Sequence, residues 1–166
     1  DSALFVTTLN DPAGTLRLAA TGDPIPGATG GTMGHLEPPL TDSSGGVVFT
    51  VQGQVEPGMV TATRAFLLRA AAAGIRLLAA EGDPVAGART LAGEPDAAPG
   101  TLSTLFGDVQ VSRDGQILFL SSFQDSQSGA VVANGLFLWD AGTIRAVALP
   151  GQPSALPGTP FYSSFS

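Results

Sequence analysis

The sequence contains no cysteine and no lysine, and all seven of its basic residues are arginine. Without cysteine the chain can form no disulfide, no thiolate nucleophile and no cysteine-based metal site. Charged residues are only 13% of the 166 residues, and the hydrophobic fraction of 43% can sustain a buried core. The net charge of -7 suits neither a phosphate backbone nor an anionic lipid surface, so we expect no nucleic-acid partner.

Long apolar runs are also missing from the sequence. A membrane-spanning helix needs about 18 or more consecutive apolar residues. The most apolar stretch, residues 70–80, is interrupted by Gly74 and Arg76. We therefore expect no insertion into a membrane. The chain begins at Asp1 without a methionine or a signal peptide, which is compatible with removal of a leader.

Glycine and proline are abundant, with 22 and 13 residues, and they recur in one phrase. The phrase Gly-Thr-Leu-Arg-Leu-Ala-Ala-Thr-Gly-Asp-Pro at residues 14–24 returns as Gly-Ile-Arg-Leu-Leu-Ala-Ala-Glu-Gly-Asp-Pro at residues 74–84. A degraded copy, Gly-Thr-Ile-Arg-Ala-Val-Ala-Leu-Pro-Gly-Gln-Pro, occupies residues 142–153. Self-similarity at this spacing predicts a repeat architecture.

Each copy of the phrase belongs to a longer unit of about four short strands. Strands centred on Phe5, Phe66 and Phe137 precede the phrase, and strands containing Phe49 and Phe119 close the first two units. One repeat domain over residues 1–166 is therefore expected, with units at approximately 1–60, 61–131 and a partial 132–166. Units of this kind predict an all-β, antiparallel fold, a partial or incomplete β-propeller; a β-sandwich is the alternative.

Residues 61–81 are locally ambiguous because they are rich in alanine, leucine and arginine, which are strong helix formers. Their repeat partners contain turn residues and β-branched residues that indicate hairpins. We predict a hairpin here as well, since tertiary context routinely overrides helix propensity.

The recurring residues resemble the bacterial tandem-repeat proteins that are named for an Asn-x-x-Gly-x-x-x-Phe repeat. The resemblance is carried by Gly-Asp-Pro-Ile-Pro-Gly at residues 22–27, by Gly-Asp-Pro-Val-Ala-Gly at 82–87 and by Asp-Gly-Gln-Ile-Leu-Phe at 114–119. The Asn of the repeat is replaced by Thr41 in one unit and by Ser112 or Arg113 in the other. The resemblance implies an extracellular or periplasmic domain of propeller type, in some members attached to the cell surface. It implies no catalytic residue.

The Gly-Asp-Pro turns have a structural interpretation. An Asp side chain accepts from nearby backbone N–H groups, glycine supplies positive φ and proline fixes φ. The third copy has Gln152 in place of Asp, which keeps a hydrogen-bonding side chain without the charge. The residues that we assign to structural turns are Gly22, Asp23, Pro24, Gly82, Asp83, Pro84, Gly151 and Pro153.

Two sets of residues are candidates for contact with a partner. Arg17, Arg76 and Arg145 align across the three units; their alternative role is to face solvent while the stems cover apolar surface. The C-terminal region is rich in aromatic residues, which are enriched at interfaces but also pack in cores. Its members are Trp139, Phe161, Tyr162 and Phe165.

No catalytic, cofactor-binding or metal-binding residue is expected. His35 is the only imidazole, and the chain has no Gly-x-Ser-x-Gly elbow and no phosphate-binding loop. The sequence therefore favours a non-catalytic structural or protein-binding module, an exported accessory subunit whose partners are other protein chains. A carbohydrate- or small-ligand-binding propeller is the alternative, with a glycan as partner, and a propeller-type hydrolase is disfavoured by the single histidine.

Overall fold

The computed structural model describes residues 2–8, 11–55, 61–71, 73–85, 100–103, 107–125 and 129–150. These residues form antiparallel β-sheets and contain no helix, which confirms the all-β prediction. It follows that this part of the chain has no helix long and apolar enough to cross a membrane.

Thirteen strands are present in the described residues. In chain order they are β1 (Ala3–Thr8), β2 (Asp11–Ala20), β3 (Thr32–Leu36), β4 (Leu40–Thr41), β5 (Val47–Val55), β6 (Ala62–Ala71), β7 (Gly74–Ala80), β8 (Pro84–Val85), β9 (Gly100–Leu102), β10 (Gly107–Val111), β11 (Ile117–Gln124), β12 (Val131–Asp140) and β13 (Thr143–Ala148). The chain divides into two compact units, Asp1–Leu78 and Ala79–Ser166, so the boundary falls inside β7.

The first unit holds two sheets. Strands β1 and β2 form a separate two-stranded hairpin, and the larger sheet has the order β3-β5-β6-β7, with β4 also paired to β5. The central strand β5 begins Val-Val-Phe-Thr-Val, and all five of these residues are buried. Runs of β-branched and aromatic residues suit a strand that is covered on both faces.

The ambiguous segment 61–81 contains the strands β6 and β7, as predicted. Strand β6 pairs with β5 without interruption, from Val47 opposite Ala70 to Val55 opposite Ala62. Leu67 and Leu68 are fully buried in this strand. Helix propensities differ among ordinary residues by only about a few tenths of a kcal/mol per residue. The cross-strand hydrogen bonds and the burial of these leucines favour the strand by more than that.

The second unit is a six-stranded sheet with the order β13-β12-β11-β9-β8, and β10 also pairs with β11. Strand β13 lies close to β8, so the sheet is nearly closed and barrel-like. Strands β12 and β13 meet at a two-residue turn, Ala141-Gly142, where φ is 48° and 92°. Positive φ at both positions is what a type I′ hairpin turn requires.

The core of the second unit is built from alternate residues of β11. Ile117, Phe119, Ser121 and Phe123 are buried, and the residues between them are partly exposed. The ring of Phe137 lies 5.8 Å from that of Phe119 and 6.4 Å from that of Phe123, measured between centroids. Offset aromatic pairs at these distances add stabilisation beyond area burial.

The predicted equivalence of the three Phe-centred strands does not hold in detail. Phe137 lies opposite Phe119, whereas Phe66 lies opposite Val51 and the residue opposite Phe49 is Leu68. Phe5 is 58% exposed, while Phe66 and Phe137 are buried. A shift of two residues leaves the same strand face inward, so sequence spacing alone cannot fix the register.

Candidate interaction surface

The hairpin β1–β2 exposes apolar side chains that a core would normally cover. Phe5 is 58% exposed, Leu16 59% and Val6 36%. Val6 lies directly opposite Leu16, so these two side chains share one face, and Phe5 pairs with Arg17 on the other. The hairpin therefore presents apolar surface on both of its faces.

The other two hairpins differ in what they bury. Strand β6 of hairpin β6–β7 carries Leu67 and Leu68 at full burial, and strand β12 of hairpin β12–β13 carries Phe137 at 0% exposure. In both, the first strand of the hairpin is paired on its outer edge, β6 with β5 and β12 with β11. Strand β1 pairs only with β2 among the described residues. Its outer edge is consequently open in that part of the chain.

No charged residue or proline in β1 guards this edge, although its pairing with β2 has register shifts between Leu4 and Phe5 and between Val6 and Thr8. Charged side chains, proline and bulges at exposed edges normally discourage pairing with another chain. Strand β1 reads Ala-Leu-Phe-Val-Thr-Thr and contains no charged residue and no proline. Every second residue of an edge strand directs its backbone N–H and C=O groups outward, so β1 offers a row of donors and acceptors beside its exposed apolar side chains.

The two described Gly-Asp-Pro turns make the same hydrogen bonds. The Ala20 N–H donates to Asp23 Oδ2 at 2.8 Å, and the Ala80 N–H donates to Asp83 Oδ2 at 2.8 Å. Each Asp N–H also donates to the carbonyl of the same alanine, at 3.0 Å in both turns. The carboxylates are thereby occupied in holding the turn.

Glycine has a specific reason to precede each of these aspartates. The φ angles of Gly22 and Gly82 are 90° and 95°, values that L side chains rarely adopt. The backbone then donates onward, from Gly22 N–H to the Met33 carbonyl and from Gly82 N–H to the Leu102 carbonyl. Pro24 and Pro84 follow in both turns and pair with β3 or β9 at Thr32 and Thr101. Gly151 and Pro153 lie outside the described residues.

The three aligned arginines are all exposed and lie on three different hairpins. Arg17 has a side chain 55% exposed and contacts Asp23 Oδ1 through Nη2 at 3.2 Å. Arg76 lies on β7, and Arg145 lies on β13 opposite Leu138. This exposure fits the solvent-facing alternative.

The aromatic candidates separate into one buried residue and three that lie outside the described residues. Trp139 is 7% exposed and lies opposite Ile117 and Ile144. Its indole packs in the core of the second unit, which is the core-packing alternative for this residue. Phe161, Tyr162 and Phe165 fall within residues 151–166, outside the described part of the chain.

Sequence reasoning missed an ion pair between Asp42 and Arg69. Arg69 Nε donates to Asp42 Oδ2 at 2.6 Å, and Arg69 Nη2 donates to Ser44 Oγ at 2.7 Å. Asp42 Oδ1 accepts from Ser44 N–H at 2.9 Å, Ser44 Oγ at 2.7 Å and Gly46 N–H at 2.8 Å. The only signal in the sequence was an arginine that follows the apolar run Ala65–Leu68, and such a residue needs a carboxylate partner when its side chain is only 21% exposed.

The Asp42 carboxylate is 3% exposed and still ionised. Burial raises its pKa, but the hydrogen bonds from Ser44, Arg69 and Gly46 outweigh burial and lower the pKa from 3.8 to about 2. Donors held around a carboxylate favour its charged form. The cluster fixes the β4–β5 turn against β6 and leaves no lone pair directed toward a ligand site.

The remaining polar candidates do not assemble into a site. His35 is exposed, and its Nε2 lies 3.6 Å from Glu37 Oε1, which is also exposed. No group of three or more His, Cys, Asp or Glu residues that could hold a metal ion occurs in the described ranges. The most distinctive feature is therefore the open, apolar hairpin β1–β2.

Comparisons of the chain with protein-family models, with curated proteins and with solved structures returned no match.

Proposed function

We propose that this chain is a non-catalytic protein-binding module and a subunit of a larger assembly. The observation that carries the proposal is the hairpin β1–β2, which combines a backbone edge that no other described strand pairs with and the exposed side chains of Phe5, Val6 and Leu16. Apolar side chains beside an unpaired edge are the features that β-strand addition uses, with backbone hydrogen bonds for affinity and side-chain contacts for specificity.

The proposal includes a repeat architecture of propeller type, which two correspondences between the sheets support. The sheet β3-β5-β6-β7 and the path β9-β11-β12-β13 have the same order of strand types, each with a short strand, β4 or β10, added to its central strand. The turns before β5 and β11 also correspond: Asp42 N–H donates to the Gly46 carbonyl, and Ser112 N–H donates to the Gln116 carbonyl. On this pattern β1–β2 is a third hairpin of the same type.

Export to the periplasm or the cell exterior is part of the proposal. It is supported by the resemblance to secreted tandem-repeat proteins and by the matching Gly-Asp-Pro turns at Asp23 and Asp83. No specific observation supports the glycan-binding alternative, because Trp139, its aromatic candidate among the described residues, lies in the core.

The proposal is tested by two substitutions at equally exposed apolar residues. Phe5 on β1 and Val131 on β12 are each 58% exposed. Phe5→Lys places a charge on the open edge, whereas Val131→Lys places one on a strand already paired with β11. Both variants are expected to keep the unfolding midpoint of the wild type, since neither side chain is buried.

Sedimentation equilibrium over a range of concentrations provides the measurement. We expect the wild type and Val131→Lys to associate and Phe5→Lys to be monomeric or at least about tenfold weaker in association, because a charge at the edge must be desolvated on pairing. A wild type that stays monodisperse and monomeric at every concentration would contradict the proposed assembly.

A further inference from the structure

The hairpins β6–β7 and β12–β13 show what kind of strand pairs with the outer edge of a hairpin in this fold. Strand β5 lies against β6, and β11 lies against β12, antiparallel in both cases. Both added strands direct an aromatic side chain inward, Phe49 from β5 and Phe119 from β11. An equivalent strand on β1 would be antiparallel and would direct at least one aromatic side chain inward.

The sequence contains one further segment of this kind. Residues 161–165, Phe-Tyr-Ser-Ser-Phe, differ from residues 119–123 of β11, Phe-Leu-Ser-Ser-Phe, only at the second position. In β11 the first, third and fifth of these residues are buried, and the second and fourth are partly exposed. The segment therefore matches the part of β11 that pairs with β12, although it lies outside the described residues.

We propose that residues 161–165 of a second copy of this chain add as an antiparallel strand to the outer edge of β1. The inference rests on the proposed function and names its partner. In this arrangement Phe161, Ser163 and Phe165 lie on one face of the added strand, as Phe119, Ser121 and Phe123 do in β11.

Charge favours this pairing over other contacts between copies. Each chain carries a net charge of -7, so two copies repel one another over most of their surfaces. Residues 151–166 contain no charged residue, and neither does β1. The donor segment and the acceptor edge can therefore meet without desolvating a charge, and hydrogen bonds plus buried aromatic area stabilise the contact.

The sequence between β13 and the donor segment is compatible with donation to another copy. Pro153, Pro157 and Pro160 occur within these residues, and proline-rich connections prefer extended conformations that act as spacers. Pro160 directly precedes the segment, a place at the start of a strand where its missing N–H is tolerated. Each copy then carries one donor and one acceptor, which gives a head-to-tail association.

A pair of double variants in the full chain tests the proposal. Phe161→Ser with Phe165→Ser removes the two inward aromatic side chains. Tyr162→Ser with Ser164→Ala changes the two outward positions and serves as the matched control. We expect association in sedimentation equilibrium to weaken by about a hundredfold in the first variant, because two buried aromatic side chains are lost. In the control, association is expected to stay within about twofold of the wild type.

A synthetic peptide of residues 157–166 gives a second readout that does not depend on the folding of a variant. The peptide is expected to dissociate the wild-type assembly and to protect the amide groups of β1 from hydrogen exchange. The same peptide with serine at positions 161 and 165 is expected to do neither.

The outcomes separate this proposal from the proposed function. Association could be lost in Phe5→Lys but retained when Phe161 and Phe165 are replaced. That result would contradict the assignment of residues 161–165 as the added strand, but it would still support β1–β2 as the binding surface. The wild type could also be monomeric, with β1 amides protected only when Phe161 and Phe165 are present. That result would show that the added strand comes from the same chain, and it would overturn the proposal that a second copy supplies it. A monomeric wild type with unprotected β1 would contradict both proposals.

Discussion

At the scale of the residue, Asp42 shows how a buried charge is retained. Its carboxylate is nearly removed from water, and burial alone would raise its pKa. Arg69 supplies the opposite charge, while Ser44 and Gly46 supply further donors. A Cβ on Gly46 would lie 2.6 Å from Asp42 Oδ2, so glycine at this position leaves room for the ion pair.

The pH dependence of stability follows from the lowered pKa of Asp42. Because the folded-state pKa of about 2 lies below the ordinary value of 3.8, the carboxylate stabilises the folded state above about pH 4, and this contribution is lost as pH falls toward 2. Asp42→Asn is expected to lower the free energy of unfolding at pH 7 by about 2–4 kcal/mol. The variant should also lose less stability than the wild type between pH 5 and pH 2.

Asp114→Asn is the control for this prediction, because Asp114 is an exposed residue of the corresponding turn before β11. Urea unfolding at several pH values measures both variants. Parallel pH profiles for Asp42→Asn and the wild type would show that Asp42 does not carry the acid dependence.

The difference between Asp23 and Asp42 explains which residue roles the sequence could predict. Asp23 bonds to Ala20, three residues away, so a local pattern of Gly-Asp-Pro was enough to predict a structural turn. Asp42 bonds to Arg69 across 27 residues, and this contact depends on how β5 and β6 align. No local pattern contains that alignment.

At the scale of the element, a glycine in β9 permits a close approach to β11. A Cβ on Gly100 would overlap the ring of Phe123 and would lie 2.6 Å from the carbonyl oxygen of Gln124. Gly107 in β10 also neighbours β11, but a Cβ there would lie 4.0 Å from the Cβ of Leu120, an ordinary contact.

These two glycines give opposite expectations for the same substitution. Gly100→Ala should destabilise the protein by about 1–3 kcal/mol, because the backbone or the Phe123 ring must move. Gly107→Ala should be neutral or stabilising by up to about 1 kcal/mol, since alanine loses less backbone entropy in a strand. Thermal unfolding monitored by circular dichroism compares them, and equal destabilisation of both variants would argue against the close β9–β11 packing.

Strand existence was predictable from the sequence, but strand register was not. The repeats correctly indicated that residues 61–81 form strands despite their helix-forming composition, and β6 and β7 occupy this segment. Aligning Phe66 with Phe137 was wrong by two residues, because the inward face of a strand repeats every two residues and either choice buries an apolar side chain. The exposure of Phe5 was likewise missed, since it depends on which strand lies beside β1.

At the scale of the whole molecule, an acidic, lysine-free chain combines mutual repulsion with an uncharged edge strand, β1. Repulsion between copies keeps most of the surface apart, and the hairpin β1–β2 offers the place where apolar area and backbone groups are available together. The sequence indicated an unfinished array that other chains could cover. It could not indicate where we would propose the contact, because that required knowing that β6 and β12 are paired on their outer edges and that β1 has only β2 beside it in the described residues.

Hydrogen exchange at β1, measured as a function of protein concentration, tests the central claim most directly. The account predicts that alternate amides of Ala3–Thr8 become protected as concentration rises, while the amides of β12, which are already paired with β11 and β13, stay protected throughout. Exchange at β1 that is the same in dilute and concentrated solution would contradict the claim that its open edge binds another protein chain.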